Sequence, residues 1–231
     1  MEETIWIASY PRSGNTFLRM LLWQGLGLRT GSLYFADLGH RQALEQAVGH
    51  VEHDPPGELS FRVGEPWLIK THSLCPDSNR AIYVVRDGRA AAVSLWRFAG
   101  GRIPLETIVA GESTYGSWQE HVESWQPTSR PGTLLVRYED MEADPWRTVA
   151  DLADFLGRPI VGRTIPSREE LASLDGHWVR AKTDWREHLP PHLERAFVER
   201  NARQLAALGY APDGVDAASA LVGGVNGRAR P

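Results

Sequence analysis

Thr4-Ile5-Trp6-Ile7-Ala8-Ser9 runs straight into Tyr10-Pro11-Arg12-Ser13-Gly14-Asn15-Thr16, and an apolar stretch from Phe17 to Leu26 follows. The order is a β-rich run, a Pro–Gly turn and a helix-length apolar segment, which predicts strand, loop and helix in immediate succession. Such a loop gathers backbone N–H groups at a helix N-terminus, where the dipole and the orphan donors both favour an anion. Arg12, Ser13 and Thr16 add side-chain donors, and Gly14 permits close backbone approach. Taken alone, the same residues also describe a plain connection with a solvated Arg. The general nucleotide-binding pattern G-x-x-x-x-G-K-[ST] is not met: there is one glycine, no Lys follows it, and the charged residue precedes it.

A second segment has the same organisation. Ala81 to Val85 reads as a buried strand, and Arg86-Asp87-Gly88-Arg89 opens a helix that carries Ser94. An Arg at a strand's carboxyl edge and a Ser two helical turns on can reach one phosphate from two sides. The competing reading is an Arg86–Asp87 surface pair with a solvated Ser.

Both segments resemble the sulfotransferase family that uses 3′-phosphoadenosine 5′-phosphosulfate (PAPS). Tyr10 to Thr16 is similar to its 5′-phosphosulfate loop Tyr-Pro-Lys-Ser-Gly-Thr-Thr, with Arg12 in place of the usual Lys and Asn15 where Thr is frequent. Arg86 and Ser94 match the spacing of its 3′-phosphate-binding strand and helix. Trp67-Leu68-Ile69-Lys70-Thr71-His72 resembles the strand ending in Lys-Thr-His, whose His is the family's base. Leu134 to Met141 resembles its Tyr-Glu-Asp strand end, which implies Tyr138 near the adenine. Arg180-Ala181-Lys182-Thr183-Asp184-Trp185-Arg186 resembles a contracted Arg-Lys-Gly…Gly-Asp-Trp segment, lacking both glycines, and implies Arg180 and Lys182 as 3′-phosphate ligands. The matches fall in family order between residue 4 and about 210.

The resemblance implies a sulfuryl transfer from PAPS to a hydroxyl or amine of a small-molecule acceptor. His72 would be the base, with Lys70 and Arg12 stabilising the developing charge. Ser13, Gly14, Asn15 and Thr16 would hold the phosphosulfate, and no metal is expected. His121 is the second choice for the base. Two other readings stay open: a module that binds PAPS or another nucleotide without turnover, and a small-molecule kinase, for which the Gly-Lys-Ser/Thr partner of magnesium is missing.

Composition bounds the rest. The 231 residues can bury a sizeable core, and a net charge of −4 leaves no global field for nucleic acid, so any anion site must be local. Cys75 is the only cysteine, which excludes an internal disulfide and suits a reducing compartment; with the acidic Met1-Glu2-Glu3 start and no membrane-length apolar run, a cytoplasmic protein is expected. His50 and His53 lack a partner cluster with metal-ligand spacing.

The expected architecture is α/β: a central parallel sheet flanked by helices, the P-loop-like sulfotransferase fold, in one domain over residues 1–211 with a flexible tail at 212–231. Strands are expected at 4–9, 67–70, 81–85 and 133–137, and helices at about 15–26, 88–98, 145–156 and 191–208. Asp144-Pro145 and Gly157 mark the ends of one helix. Residues 29–66 and 99–128 carry few regular patterns and are expected as insertions at the sheet's carboxyl edge, shaping the acceptor pocket. Trp96, Phe98, Trp118 and Trp125 fit either that pocket or core packing.

Overall fold

The computed structural model describes residues 4–54, 57–162, 164–174, 176 and 184–210. The expected tail at 212–231, together with Arg180 and Lys182, lies outside the described residues.

The chain begins with β1 (Thr4–Ser9) and α1 (Asn15–Leu26), followed by β2 (Gly31–Ser32), a 3₁₀ turn (Asp37–His40) and α2 (Gln42–Val48). A small hairpin, β3 (His53–Asp54) with β4 (Glu58–Leu59), precedes β5 (Trp67–Thr71) and β6 (Ala81–Val85). After these come α3 (Gly88–Phe98), α4 (Leu105–Val109), α5 (Trp118–Trp125), β7 (Thr133–Arg137), α6 (Tyr138–Ala143) and α7 (Pro145–Leu156). The last helices are α8 (Arg168–Leu174) and α9 (Pro191–Ala207), with a 3₁₀ turn at Trp185–Glu187 between them.

Five strands form one sheet in the order β2-β5-β1-β6-β7, every neighbouring pair parallel. The first strand is central, and later strands add on both of its sides. Ligand sites in open parallel sheets lie beyond the carboxyl ends of the strands where the order reverses, which here is the loop after β1.

The period of two in the strands sorts side chains into two cores. Ile5 and Ile7 of β1, with Ile82 and Val84 of β6, pack against Leu18, Leu21 and Leu22 of α1 and Val149 and Leu152 of α7. Ala8, Tyr83 and Val85 face the other way, onto α3, α5 and α9. Buried on both faces, these strands read as continuous apolar runs, as parallel strands do.

Helix ends follow local chemistry. The Asp144 side chain accepts from the Arg147 N–H at 3.0 Å, Pro145 fills the first turn, and Gly157 at φ 62° ends α7, as the sequence predicts. The segment 99–128 differs from expectation. Ser117 and Glu120 form a capping box that starts α5, and Trp118, Val122 and Trp125 are buried in the core with Leu193 and Phe197 of α9. That segment is therefore largely a structural layer, and among its residues only Tyr115 lines the cavity described next. The segment 29–66 does reach the site, through Tyr34, Ala36, Asp37, Leu44 and Val48.

Candidate active site

A cavity of about 620 Å³ opens at the carboxyl edge of the sheet. Its wall includes Arg12, Gly14, Asn15 and Thr16 of the loop and α1, Lys70 and His72 at the end of β5, Arg86 after β6, Ser94 on α3 and Tyr138 at the start of α6. Residues spread over more than 120 positions thus meet because each lies at the end of a parallel strand or in the loop or helix that follows it.

The loop has the backbone of an anion cradle. Arg12 stands at φ 65° and Gly14 at φ 104°, left-handed conformations in the loop that leads into α1, while the intervening Ser13 N–H donates to the Tyr10 carbonyl at 3.3 Å. A non-glycine residue at positive φ costs energy that the surrounding structure must offset, and such residues concentrate at functional sites. A Cβ at Gly14 would stand 2.5 Å from Cδ2 of Tyr138, so both the conformation and the space require glycine. The Ser13 hydroxyl is buried without a hydrogen-bond partner among the described residues. The Asn15 side chain turns inward, donating from Nδ2 to the Ile7 carbonyl at 3.1 Å and to Ser9 Oγ at 3.2 Å, so its amide donors tie α1 to β1, while its Oδ1 is buried without a hydrogen-bond partner among the described residues.

Arg86 does not pair with Asp87. Its Nη1 donates to the Arg12 carbonyl at 3.2 Å and its guanidinium lies 4.4 Å over the Tyr138 ring. Asp87 instead caps α3 and holds Arg89 through both carboxylate oxygens, at 3.0 and 2.8 Å. Arg89 is in turn bonded to the Tyr210 carbonyl and lies over Trp185, which fixes the start of α3 to the C-terminal elements. Tyr138 stands against Gly14 and Arg86, bordering the anion loop itself.

His72 Nδ1 lies 2.8 Å from the Ser9 carbonyl. A carbonyl only accepts, so Nδ1 carries the proton and Nε2 keeps its lone pair. The ring stacks on Tyr34 with centroids 5.6 Å apart, and the His72 backbone N–H donates to the Tyr34 hydroxyl at 2.8 Å. Burial and then the Lys70 charge hold the imidazole well below its usual pKa range, lower than the near-neutral value an unperturbed His would have. His121 is different: it is 1% exposed, its Nδ1 meets the Tyr83 hydroxyl at 2.8 Å, and burial pushes it down to about 3. It does not line the cavity, so the second-choice base is a core residue.

Lys70 Nζ donates to Asp37 Oδ1 at 2.5 Å, and Asp37 Oδ2 accepts from Arg19 Nη1 at 2.5 Å. Asp37, Tyr34 and Arg19 lie outside every motif of the sequence analysis. Arg19 was the visible signal, since an Arg inside the apolar run Phe17 to Leu26 must find a buried partner. His50 accepts from Arg19 at 2.8 Å through Nδ1, and burial followed by that charge lowers it to about 4, so it stays neutral as an acceptor for the buried guanidinium. Among the described residues no group of three or more His, Cys, Asp or Glu is placed to hold a metal ion.

Of the four aromatic residues, Trp118 and Trp125 are core, and Phe98 alone lines the cavity, 4.6 Å from the Arg12 guanidinium. The lining carries Arg12, Lys70, Arg86 and Arg97 against Asp37 and Glu142, and both oxygens of Asp37 are already engaged. In a chain of net charge −4 this is a local positive site suited to an anionic ligand.

The sulfotransferase domain family matches residues 2–187. The chain belongs to that family. It is 29% identical over 187 residues to sulfotransferase 1A1 of Bos taurus, covering 71% of this chain and 62% of that protein. To sulfotransferase 1B1 of Mus musculus it is 30% identical over 179 residues, 67% of this chain and 58% of that protein. The chain thus spans about three fifths of the length of these curated relatives. Mouse sulfotransferase SULT7A1, solved in complex with PAP, superposes with a TM-score of 0.59 at 22% identity, over 89% of this chain and 85% of its own. Retinol dehydratase, solved with retinol and PAP, superposes with a TM-score of 0.57 at 19% identity, over 87% and 81%. These two show the shared fold, the parallel sheet flanked by helices. No helix among the described residues of this sulfotransferase family member is long and apolar enough to cross a membrane.

Proposed function

We propose that this sulfotransferase transfers a sulfuryl group from PAPS to a hydroxyl or amine of a small-molecule acceptor. The observation that carries the reading is His72 with its Nδ1 proton fixed on the Ser9 carbonyl and Nε2 free to accept, beside Lys70, in the cavity whose other wall is the anion loop. The residues fit the donor: the buried Ser13 hydroxyl has no partner among the described residues, a Cβ would fill the cradle at Gly14, and cations predominate in the lining. The names of the relatives and the PAP in two related folds support the same donor.

Bound PAPS supplies an activated sulfur, whose bond to the bridging oxygen breaks as the acceptor bonds to it, leaving adenosine 3′,5′-bisphosphate (PAP). His72 Nε2 takes the proton of the acceptor hydroxyl or amine. Arg12 and Lys70 place positive charge on the wall where negative charge develops, in a site where burial makes such charges effective. The loop N–H groups and the hydroxyls of Ser13 and Thr16 hold the 5′ end, and Arg86 with Ser94 holds the 3′-phosphate. Tyr138 packs beside the nucleotide, and Arg180 and Lys182 complete the set on the resemblance alone. Incubation with PAPS or ATP and a panel of phenols, alcohols and amines tests the assignment. PAP with a sulfated product supports it; ADP would indicate a kinase, and tight PAP binding without turnover a binding module.

Arg86→Ala is expected to weaken PAP binding about 10–100-fold, because a charge-assisted contact worth roughly 1.5–3 kcal/mol is removed. Adenosine 5′-phosphosulfate, which lacks the 3′-phosphate, should lose far less. Equal losses in calorimetry would reject the 3′-phosphate role.

Turnover is also expected to persist in excess EDTA. A sulfuryl group carries less negative charge than a phosphoryl group, and Arg12, Lys70 and the loop donors supply the neutralisation for which kinases use magnesium. Loss of turnover in EDTA, restored by magnesium, would overturn this mechanism.

A further inference from the structure

We propose that Asp37 is a positioning residue for Lys70: clamped by the fully buried Arg19, its carboxylate holds the Lys70 ammonium charged and aimed at the reacting centre. The inference rests on the reading of Lys70 as a charge-stabilising group in sulfuryl transfer.

The geometry is a buried chain of charges running from the helix of the anion loop to the last turn of the adjacent strand. Arg19, on α1, donates from Nε to Thr30 Oγ1 at 2.7 Å, from Nη1 to Asp37 Oδ2 at 2.5 Å and from Nη2 to His50 Nδ1 at 2.8 Å. Asp37 then accepts from Lys70 Nζ on its other oxygen at 2.5 Å. The side chains of Arg19, Asp37 and Lys70 are 0%, 2% and 5% exposed. Asp37 therefore has no freedom to turn: one oxygen is fixed by a guanidinium that is itself fixed at two further points.

The charges sum to one net positive, and Lys70 is the cationic member that lines the cavity, beside Asp37, whose oxygens are both engaged. An ammonium has three N–H donors, and one is spent on Asp37, which leaves the group able to meet an anion while its direction is set. A Lys side chain has four rotatable bonds and about 2 kcal/mol of rotamer entropy, so an untethered ammonium would be spread over several positions. Tethering places it in advance, which is what transition-state stabilisation by fixed charge requires.

Protonation follows the same geometry. Burial lowers the Lys70 pKa; Asp37 opposes that effect, while Arg19 and Arg12 add to it. The other groups facing this cluster are His72 at the end of β5, His50 after α2 and Glu45 on α2. Of these, Asp37 alone bonds the ammonium directly with an opposite charge. Burial would raise Asp37, but Lys70 and Arg19 outweigh it and hold the carboxyl well below the usual range, so it remains an anion throughout the working pH.

Asp37→Asn keeps the shape and removes the charge. With PAPS and 2-naphthol as the probe acceptor, kcat is expected to fall roughly 10²-fold. KM for PAPS should change by less than about threefold, because the loss lies in the transition state. Asp37→Asn combined with Lys70→Met should be no slower than Lys70→Met alone, since a residue that acts through Lys70 has nothing to lose once Lys70 is gone. Additive losses would overturn the proposal. The readout independent of turnover is the Lys70 Nζ and Cε resonances, assigned by their absence in Lys70→Met. In Asp37→Asn their titration midpoint should move down by roughly 1–3 pH units, the effect of losing an opposite charge at this range. An unmoved midpoint would overturn the proposal. If Asp37→Asn does not fold, the wild-type protein still decides: its Asp37 carboxyl carbon must respond at the midpoint of Lys70, and no response rejects the link. A wild-type enzyme that forms no PAP from PAPS would sink the sulfotransferase reading alone, because the resonances test the Asp37–Lys70 link without catalysis.

Discussion

His72→Ala is expected to lower kcat by roughly 10²–10⁴-fold, the range for loss of a positioned general base. PAP should bind the variant with an affinity close to that of the wild type, because the base acts on the acceptor and its own hydrogen bonds run to Ser9 and Tyr34 within the protein. Turnover of His72→Ala near the wild-type value would make His72 a structural residue. The pH profile is a second check. Burial and Lys70 hold His72 below its usual pKa, so the neutral, competent form persists as pH falls past 6.5. The acid limb of kcat/KM should therefore lie below pH 6.5. A limb at or above pH 7 would contradict that downward shift.

Arg19→Met is expected to destabilise the fold by about 3–5 kcal/mol, the cost of breaking a buried ion pair by removing one partner. Met matches much of the volume, so the loss comes from the charges: Asp37 keeps only Lys70, and Thr30 and His50 lose their donor. Urea unfolding at pH 7 measures it, and a loss under about 1 kcal/mol would place the pair with surface salt bridges. The sign of the pH dependence follows from Asp37. Its folded pKa is depressed below an unfolded value near 3.9, so its stabilisation is fully present above about pH 4 and fades as pH falls toward the folded value. The gap between wild type and Arg19→Met should narrow below about pH 4.

The parts of the site that were legible in the sequence are those written in contiguous residues. Tyr10 to Thr16 could be read as a cradle because strand, turn and helix signals adjoin, and the positive φ at Arg12 and Gly14 agrees with that reading. Lys70, His72, Arg86 and Ser94 could be placed because each follows or flanks a strand with a continuous apolar pattern, and all four line the same cavity. Helix α5 was missed: periodicity predicts an irregular insertion there, although Ser117-x-x-Glu120 before an apolar face is a capping-box signature that could have marked its start.

Periods of two and 3.6, turn chemistry and caps are local, and they determined the parallel α/β sheet, its main strands and the position of the anion loop. Partnership between distant side chains is not local. That Arg86 reaches the Arg12 carbonyl, that Asn15 points into the fold, and that His121 is buried against Tyr83 depended on how the strands and helices packed. Asp37 is the clearest case. It stands in a stretch with no periodicity, and only the pairing of β2 with β5 brings that stretch across the end of β5, where the buried carboxylate meets Arg19 and Lys70. The sequence determined where charge could bind; the tertiary structure decided which charges meet, because the cost of burying an unpaired ion is set by the neighbours that folding supplies.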